Sequence, residues 1–185
     1  MLPARDILKI MLCQKIHHVA YRCRDARKTA DFYTDILGLR LSHAVGGDHV
    51  PSTGEYDPHI HLFFELDDGS SIAFFEVPKA PGDMKDTAMH DWIQHVAFEV
   101  RDRETLLRAK ADIEAKGVEV LGPTDHGFLL SIYLHDPSGH RVELTCRTAG
   151  VGTAGEATQR ALDLLELWER DHEWSGAPGA PGVHA

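Results

Sequence analysis

An α+β fold, made of two βαβββ modules and a further C-terminal helix, is the architecture this sequence predicts. Three observations carry that expectation. First, His18-Val19-Ala20-Tyr21 is followed two residues later by Arg24-Asp25, and His95-Val96-Ala97-Phe98 by Arg101-Asp102. The copies lie 77 positions apart, and a long internal repeat usually marks one supersecondary unit used twice. Second, each copy opens into the same order of signals: a strand, a helix, then three strands. Third, both helices carry matching punctuation, Asp25 before and Gly38 after the first, Asp102 before and Gly117 after the second. Aspartate is a good N-cap and glycine a common stop.

The elements follow in order. Residues 1–14 read as a leader segment. Lys15–Arg22 alternates and is a strand. Asp25 starts a helix to about Leu37, with Ala30, Tyr33 and Leu37 recurring on one face. Leu39–Ala44 is a second strand, and Val45–Asp57 a polar loop with glycine and proline. Ile60–Leu66 and Ser71–Val77 are strands around the turn Asp67-Asp68-Gly69. Pro78–Asp91 reads as a linker.

The order then repeats. Trp92–Val100 is a strand, Asp102 to about Lys116 a helix, and Val118–Leu121 a short strand. Phe128–His135 and Arg141–Cys146 flank the turn Asp136-Pro137-Ser138-Gly139. Beyond Thr148 comes a linker, then a helix over about Glu156–His172 with Ala161, Leu164, Leu165 and Trp168 in one apolar stripe. Ser175–Ala185, rich in Gly, Pro and Ala, reads as a tail. The expected organisation is one domain over 15–147, with modules 15–77 and 92–147, and an appended segment over 148–185.

Composition excludes several functions. A formal charge of −10 argues against nucleic acid, whose affinity comes largely from Lys and Arg on phosphates. No run approaches the roughly 18 apolar residues of a membrane span. The first residues mix Arg5, Asp6 and Lys9 into an apolar stretch, unlike a secretory signal. Three cysteines (Cys13, Cys23, Cys146) without metal-type spacing fit reduced thiols in a cytoplasmic protein. Thirteen histidines are many for 185 residues, so some are expected to do chemistry.

The repeated histidines are the first candidates. His18 and His95 sit inside apolar strands, and each module ends in a strand with one glutamate between apolar neighbours, Glu76 and Glu143. A buried carboxylate needs a partner such as a metal. Two imidazoles and two carboxylates suit Fe, Mn, Co, Ni or Zn. His43, His49, His59 and His61 cluster around the expected loop and could cover such a site.

These motifs resemble the vicinal oxygen chelate superfamily, which includes glyoxalase I, bleomycin-binding proteins and extradiol dioxygenases. The resemblance covers about residues 15–147 and implies paired modules forming a cupped mixed sheet around one divalent metal. The family's first-strand histidine matches His18 rather than His17, because His18 precedes Val-Ala as His95 does. Its last-strand glutamate matches Glu143, after the Asp136-Pro137-x-Gly139 turn.

His126, Ile132-Tyr133, Asp136-Pro137, Gly139 and Glu143 are similar to the extradiol dioxygenase signature. That implies Fe(II) held by His18, His95 and Glu143, with His126 and Tyr133 assisting oxygen and substrate. Where those enzymes place a base histidine before the second module, this chain has Ser70-Ser71, so His59 or His61 would substitute. Glu76 resembles instead the fourth ligand of glyoxalase I, which can also move a proton.

The expected function is therefore metal-dependent catalysis on a small molecule with two neighbouring oxygens, first of all extradiol-type dioxygenation of a catechol-like compound. The alternatives are glyoxalase- or epimerase-type proton transfer with Zn, Ni, Co or Mn, and a small-molecule-sequestering resistance protein. A homodimer without nucleic-acid or membrane partners is expected.

Overall fold

The computed structural model describes residues 15–80, 84, 90–148, 156, 158–159 and 161–165. The expected leader and tail lie outside them. Both modules are present as βαβββ units. The first contains β1 (His18–Cys23), α1 (Ala26–Asp31), β2 (Arg40–His49), β3 (Tyr56–Glu65) and β4 (Ser71–Glu76). The second contains β5 (His95–Glu99), α2 (Arg103–Ala115), β6 (Leu121–Asp125), β7 (Leu129–His135) and β8 (Arg141–Arg147). Each forms one four-stranded mixed sheet, ordered β1-β4-β3-β2 and β5-β8-β7-β6. Of the expected 156–172 helix, residues 156, 158–159 and 161–165 are helical, and the remainder lies outside the described residues.

The helices begin where their caps dictate. The Asp25 side chain accepts from Lys28 N and the Asp102 side chain from Thr105 N, satisfying N–H groups that the first turn leaves free. The chain of α1 continues through a π-helical turn, Phe32–Ile36, which carries Phe32 and Tyr33 into the core. Tyr33 then packs on Phe74 and Phe64, with ring centroids 4.7 and 5.2 Å apart.

Three strands differ from expectation. The loop expected over Val45–Asp57 is mostly strand: β2 runs to His49, β3 starts at Tyr56, and Val50–Glu55 makes the turn. Ladder pairing overrides weak local propensity there. A register slip between Gly47 and His49 takes up the extra residue around Pro58. The expected strand Val118–Leu121 lies instead at Leu121–Asp125; β6 is an edge strand, which tolerates Pro123 because no ladder donor is needed there.

The core is one cluster spanning both modules. Leu62, Phe64, Ile72 and Phe74 meet α1, while Ile132, Leu134, Val142, Leu144 and Cys146 meet Leu106 and Ile113 of α2. Three contacts at one turn join the modules. Tyr33 Oη donates to Asp136 Oδ2 at 3.3 Å, Arg24 N to Ser138 Oγ at 3.0 Å, and His140 Nε2 to the Arg22 carbonyl at 2.7 Å. Burial, then the Asp136 charge, holds the Tyr33 phenol well above the usual tyrosine range, so it stays a donor. Phe74 is fully buried; Phe74→Ala is expected to cost about 3–5 kcal/mol of stability, read from urea unfolding midpoints.

Candidate metal centre

Strand alternation decides which side chains can meet. Successive residues point to opposite faces, and Cα partners on neighbouring strands share a face. In sheet B, His95 pairs with Arg141, Ala97 with Glu143, Glu143 with Tyr133, and Thr145 with Ser131. His95, Arg141, Glu143, Tyr133 and Ser131 therefore share the face turned away from α2. Their neighbours Val142, Leu144 and Ile132 face the helix and fill the core.

Glu143 is the anchor of this face. Its residue is 5% exposed. Ser131 Oγ donates to Oε1 at 2.5 Å and also lies 2.9 Å from Thr145 Oγ1. The other oxygen, Oε2, meets His95 Nε2 at 3.0 Å. Tyr133 lies beside the pair, its ring centroid 6.4 Å from that of His95, and its hydroxyl 2.7 Å from His126 Nε2. Burial first, then the Glu143 charge, raises the Tyr133 phenol above its ordinary range, opposed by the hydrogen bond to Ser131 and the charge of Arg141.

Sheet A is different. His18 pairs with Ser71, and Ala20 with Ala73, on the face away from α1. The His18 ring is exposed, 5.4 Å from Phe63 and 6.1 Å from His61 by centroids, with Nδ1 2.8 Å from His17 Nδ1. His61 stacks on Phe75 at 3.5 Å, and its Nε2 is buried without a hydrogen-bond partner among the described residues. Burial, then His18 and His59, push His61 below the usual imidazole range. His43, His49, His59 and His61, expected over a covering loop, belong to β2 and β3.

Glu76 is placed apart from these groups. It is adjacent to Phe75 and so faces the opposite side of β4, where Oε2 accepts from Ala26 N at 2.6 Å and caps the start of α1. The register counterpart of Glu143 is Ala73, not Glu76: Glu143 is two residues beyond the partner of His95, and Ala73 two beyond the partner of His18.

The His95–Glu143 pair brings together two donors of the kinds a divalent metal takes, an imidazole nitrogen and a carboxylate oxygen, with Oε1 held by another group. His18 is not gathered with them. Among the described residues no group of three or more His, Cys, Asp or Glu is close enough together to hold a metal ion. Sequence reasoning passed over Ser131 and Arg141. Each lies two residues before a candidate, Tyr133 and Glu143, so strand alternation alone places it on the same face.

Residues 15–144 match the family described as the Glyoxalase/Bleomycin resistance protein/Dioxygenase superfamily. The chain belongs to this superfamily. It is 28% identical over 140 residues to MhqA of Bacillus subtilis, named as a candidate ring-cleaving dioxygenase. That match covers 74% of this chain but only 42% of the relative, so the chain spans about two fifths of that protein's length. A glyoxalase/dioxygenase from Nostoc punctiforme is 26% identical with a TM-score of 0.53, covering 74% of this chain and 92% of that one. A glyoxylase/bleomycin resistance protein/dioxygenase domain from Frankia sp. shares the fold at 19% identity, with a TM-score of 0.59 over 74% and 99% of the two chains. No helix among the described residues is long and apolar enough to cross a membrane.

The electrostatics of this face make a prediction for the metal-free protein. Removing the neighbouring charge in Glu143→Gln lowers the Tyr133 pKa, whereas Arg141→Gln raises it. Ultraviolet titration against a Tyr133→Phe baseline reads both shifts.

Proposed function

We propose that this chain is a metal-dependent ring-cleaving dioxygenase of the extradiol type, acting on a catechol-like diol. The observation that carries this reading is the His126–Tyr133 hydrogen bond beside the His95–Glu143 pair. The likeness to MhqA points the same way.

In this reading His95 and Glu143 hold Fe(II), with His18 as third donor from the matching position of β1. Two histidines and one carboxylate are the donor set of non-haem Fe(II) oxygenases. Bound there, Fe(II) would supply Lewis-acid and oxygen-activating chemistry for a substrate with two neighbouring oxygens. The chain's own residues do the rest. Ser131 fixes one oxygen of Glu143 and leaves the other facing His95. Tyr133, whose phenol burial and then the Glu143 charge raise above its ordinary range, donates to a substrate oxygen on this face. His126 Nε2, in contact with that hydroxyl, holds or returns the proton.

The placement of Glu76 favours three donors over the four of a glyoxalase-type site. Its carboxylate serves the N-terminus of α1, and Ala73 stands where a fourth donor would project.

Two measurements test the reading. Elemental analysis is expected to show metal lost in His95→Ala, Glu143→Gln and His18→Ala but kept in Glu76→Ala, which instead loses about 1 kcal/mol of stability with its backbone hydrogen bond. Fe(II)-loaded protein is expected to consume oxygen with catechol, with kcat falling by about 10²-fold in Tyr133→Phe or His126→Ala. No oxygen uptake across a catechol panel rejects dioxygenation, and metal loss in Glu76→Ala restores the four-donor site.

A further inference from the structure

A pocket of about 440 Å3 opens where the two modules join. Strand alternation sorts its walls. Tyr21 lies between Ala20 and Arg22 of β1 and turns toward the core, its ring centroid 6.1 Å from that of Phe74. Gln94 and His140 stand two residues before Val96 and Val142, on the helix-facing side of the second sheet. The His140 ring agrees, with centroids 5.1 Å from Tyr21 and 6.1 Å from Phe74. Val96 and the buried Tyr33 line the pocket with them. These walls lie on the side of the sheets opposite the His95–Glu143 pair, so the pocket is a separate place in the molecule.

Its chemistry is aromatic and nearly uncharged. The side chains of His95 and Arg141 point to the other face. Asp136 stands behind Tyr33, accepting from its hydroxyl at 3.3 Å, and its negative charge opposes an anion. His140 supplies the fixed polar handle. Its Nε2 lies 2.7 Å from the Arg22 carbonyl, which can only accept, so Nε2 carries the proton and Nδ1 of the neutral ring is an acceptor. Among the described residues Nδ1 has no hydrogen-bond partner. Aromatic walls with one acceptor and no cation match a flat, neutral molecule that brings its own donor.

We propose that this pocket binds a small phenol, whose ring lies among Tyr21, Tyr33 and Val96 and whose hydroxyl donates to His140 Nδ1. The site does not depend on the ring-cleaving reading. Tyr21 and Tyr33 belong to the first module, Val96 and His140 to the second, so the bound ring bridges the two.

The test is titration calorimetry of the full chain with 4-methylphenol and with 4-methylanisole, which has nearly the same shape and no donor. The wild type is expected to bind the phenol roughly three- to tenfold tighter, the range for one neutral hydrogen bond. In His140→Phe the ratio falls to about one. In Gln94→Trp, which fills the pocket from an exposed position, binding of both probes is lost; this variant decides the matter if His140→Phe does not fold. Glu143→Gln, on the opposite face, leaves both affinities unchanged. No binding by the wild type, equal binding of the two probes, a ratio unmoved by His140→Phe or binding kept in Gln94→Trp overturns the proposal. So does phenol binding lost in Glu143→Gln, which would place the ligand at the candidate metal centre instead.

Discussion

In each module the first strand lies parallel to the last, in a register that allows no slip. Moving β8 by one residue against β5 would bring Val142 and Leu144 out of the core and put Arg141 and Glu143 into it. The apolar set facing α2 therefore locks the polar set on the other face. His95, Arg141 and Glu143 are neighbours because Val96, Val142 and Leu144 must be buried. The site needs no separate device to assemble it; core packing does so.

The same rule separates the two modules. Both carry a histidine at the start of the first strand, but the last strands differ. Glu143 stands an even number of residues from the partner of its module's histidine, whereas Glu76 stands an odd number from the partner of His18. Parity turns one carboxylate toward the histidine and the other toward a helix N-terminus. The modules are then joined by a contact that is not duplicated: the turn at Asp136 accepts from Tyr33, while Asp136 also accepts from Ser138 N and His140 N within its own turn.

Much of this was legible in the sequence. The duplicated His-Val-Ala phrase and the Asp and Gly helix signals located both modules and both helices, because caps and stops act over one turn of chain and are written locally. The lengths of β2 and β3 were not legible, since Gly46, Gly47 and Pro58 look like loop and become strand only through pairing across the hairpin. The face of Glu76 was not legible for a related reason. A glutamate between apolar residues says that a strand carries a carboxylate, but its face depends on register with another strand, which no local pattern holds. His95, Glu143, Tyr133 and His126 do come together, whereas His18 does not join them among the described residues.

Ala73 marks how far the two copies have diverged. It is fully buried on the face of His18 and stands opposite Phe63, next to the stack of His61 on Phe75. A methyl group there lets aromatic rings close over the first sheet. On this face the first sheet carries histidines among aromatic rings, His18 and His61 beside Phe63 and Phe75, whereas the second carries a buried carboxylate, Glu143. The duplicated scaffold thus presents two unlike surfaces, ring faces from one copy and a desolvated negative charge from the other.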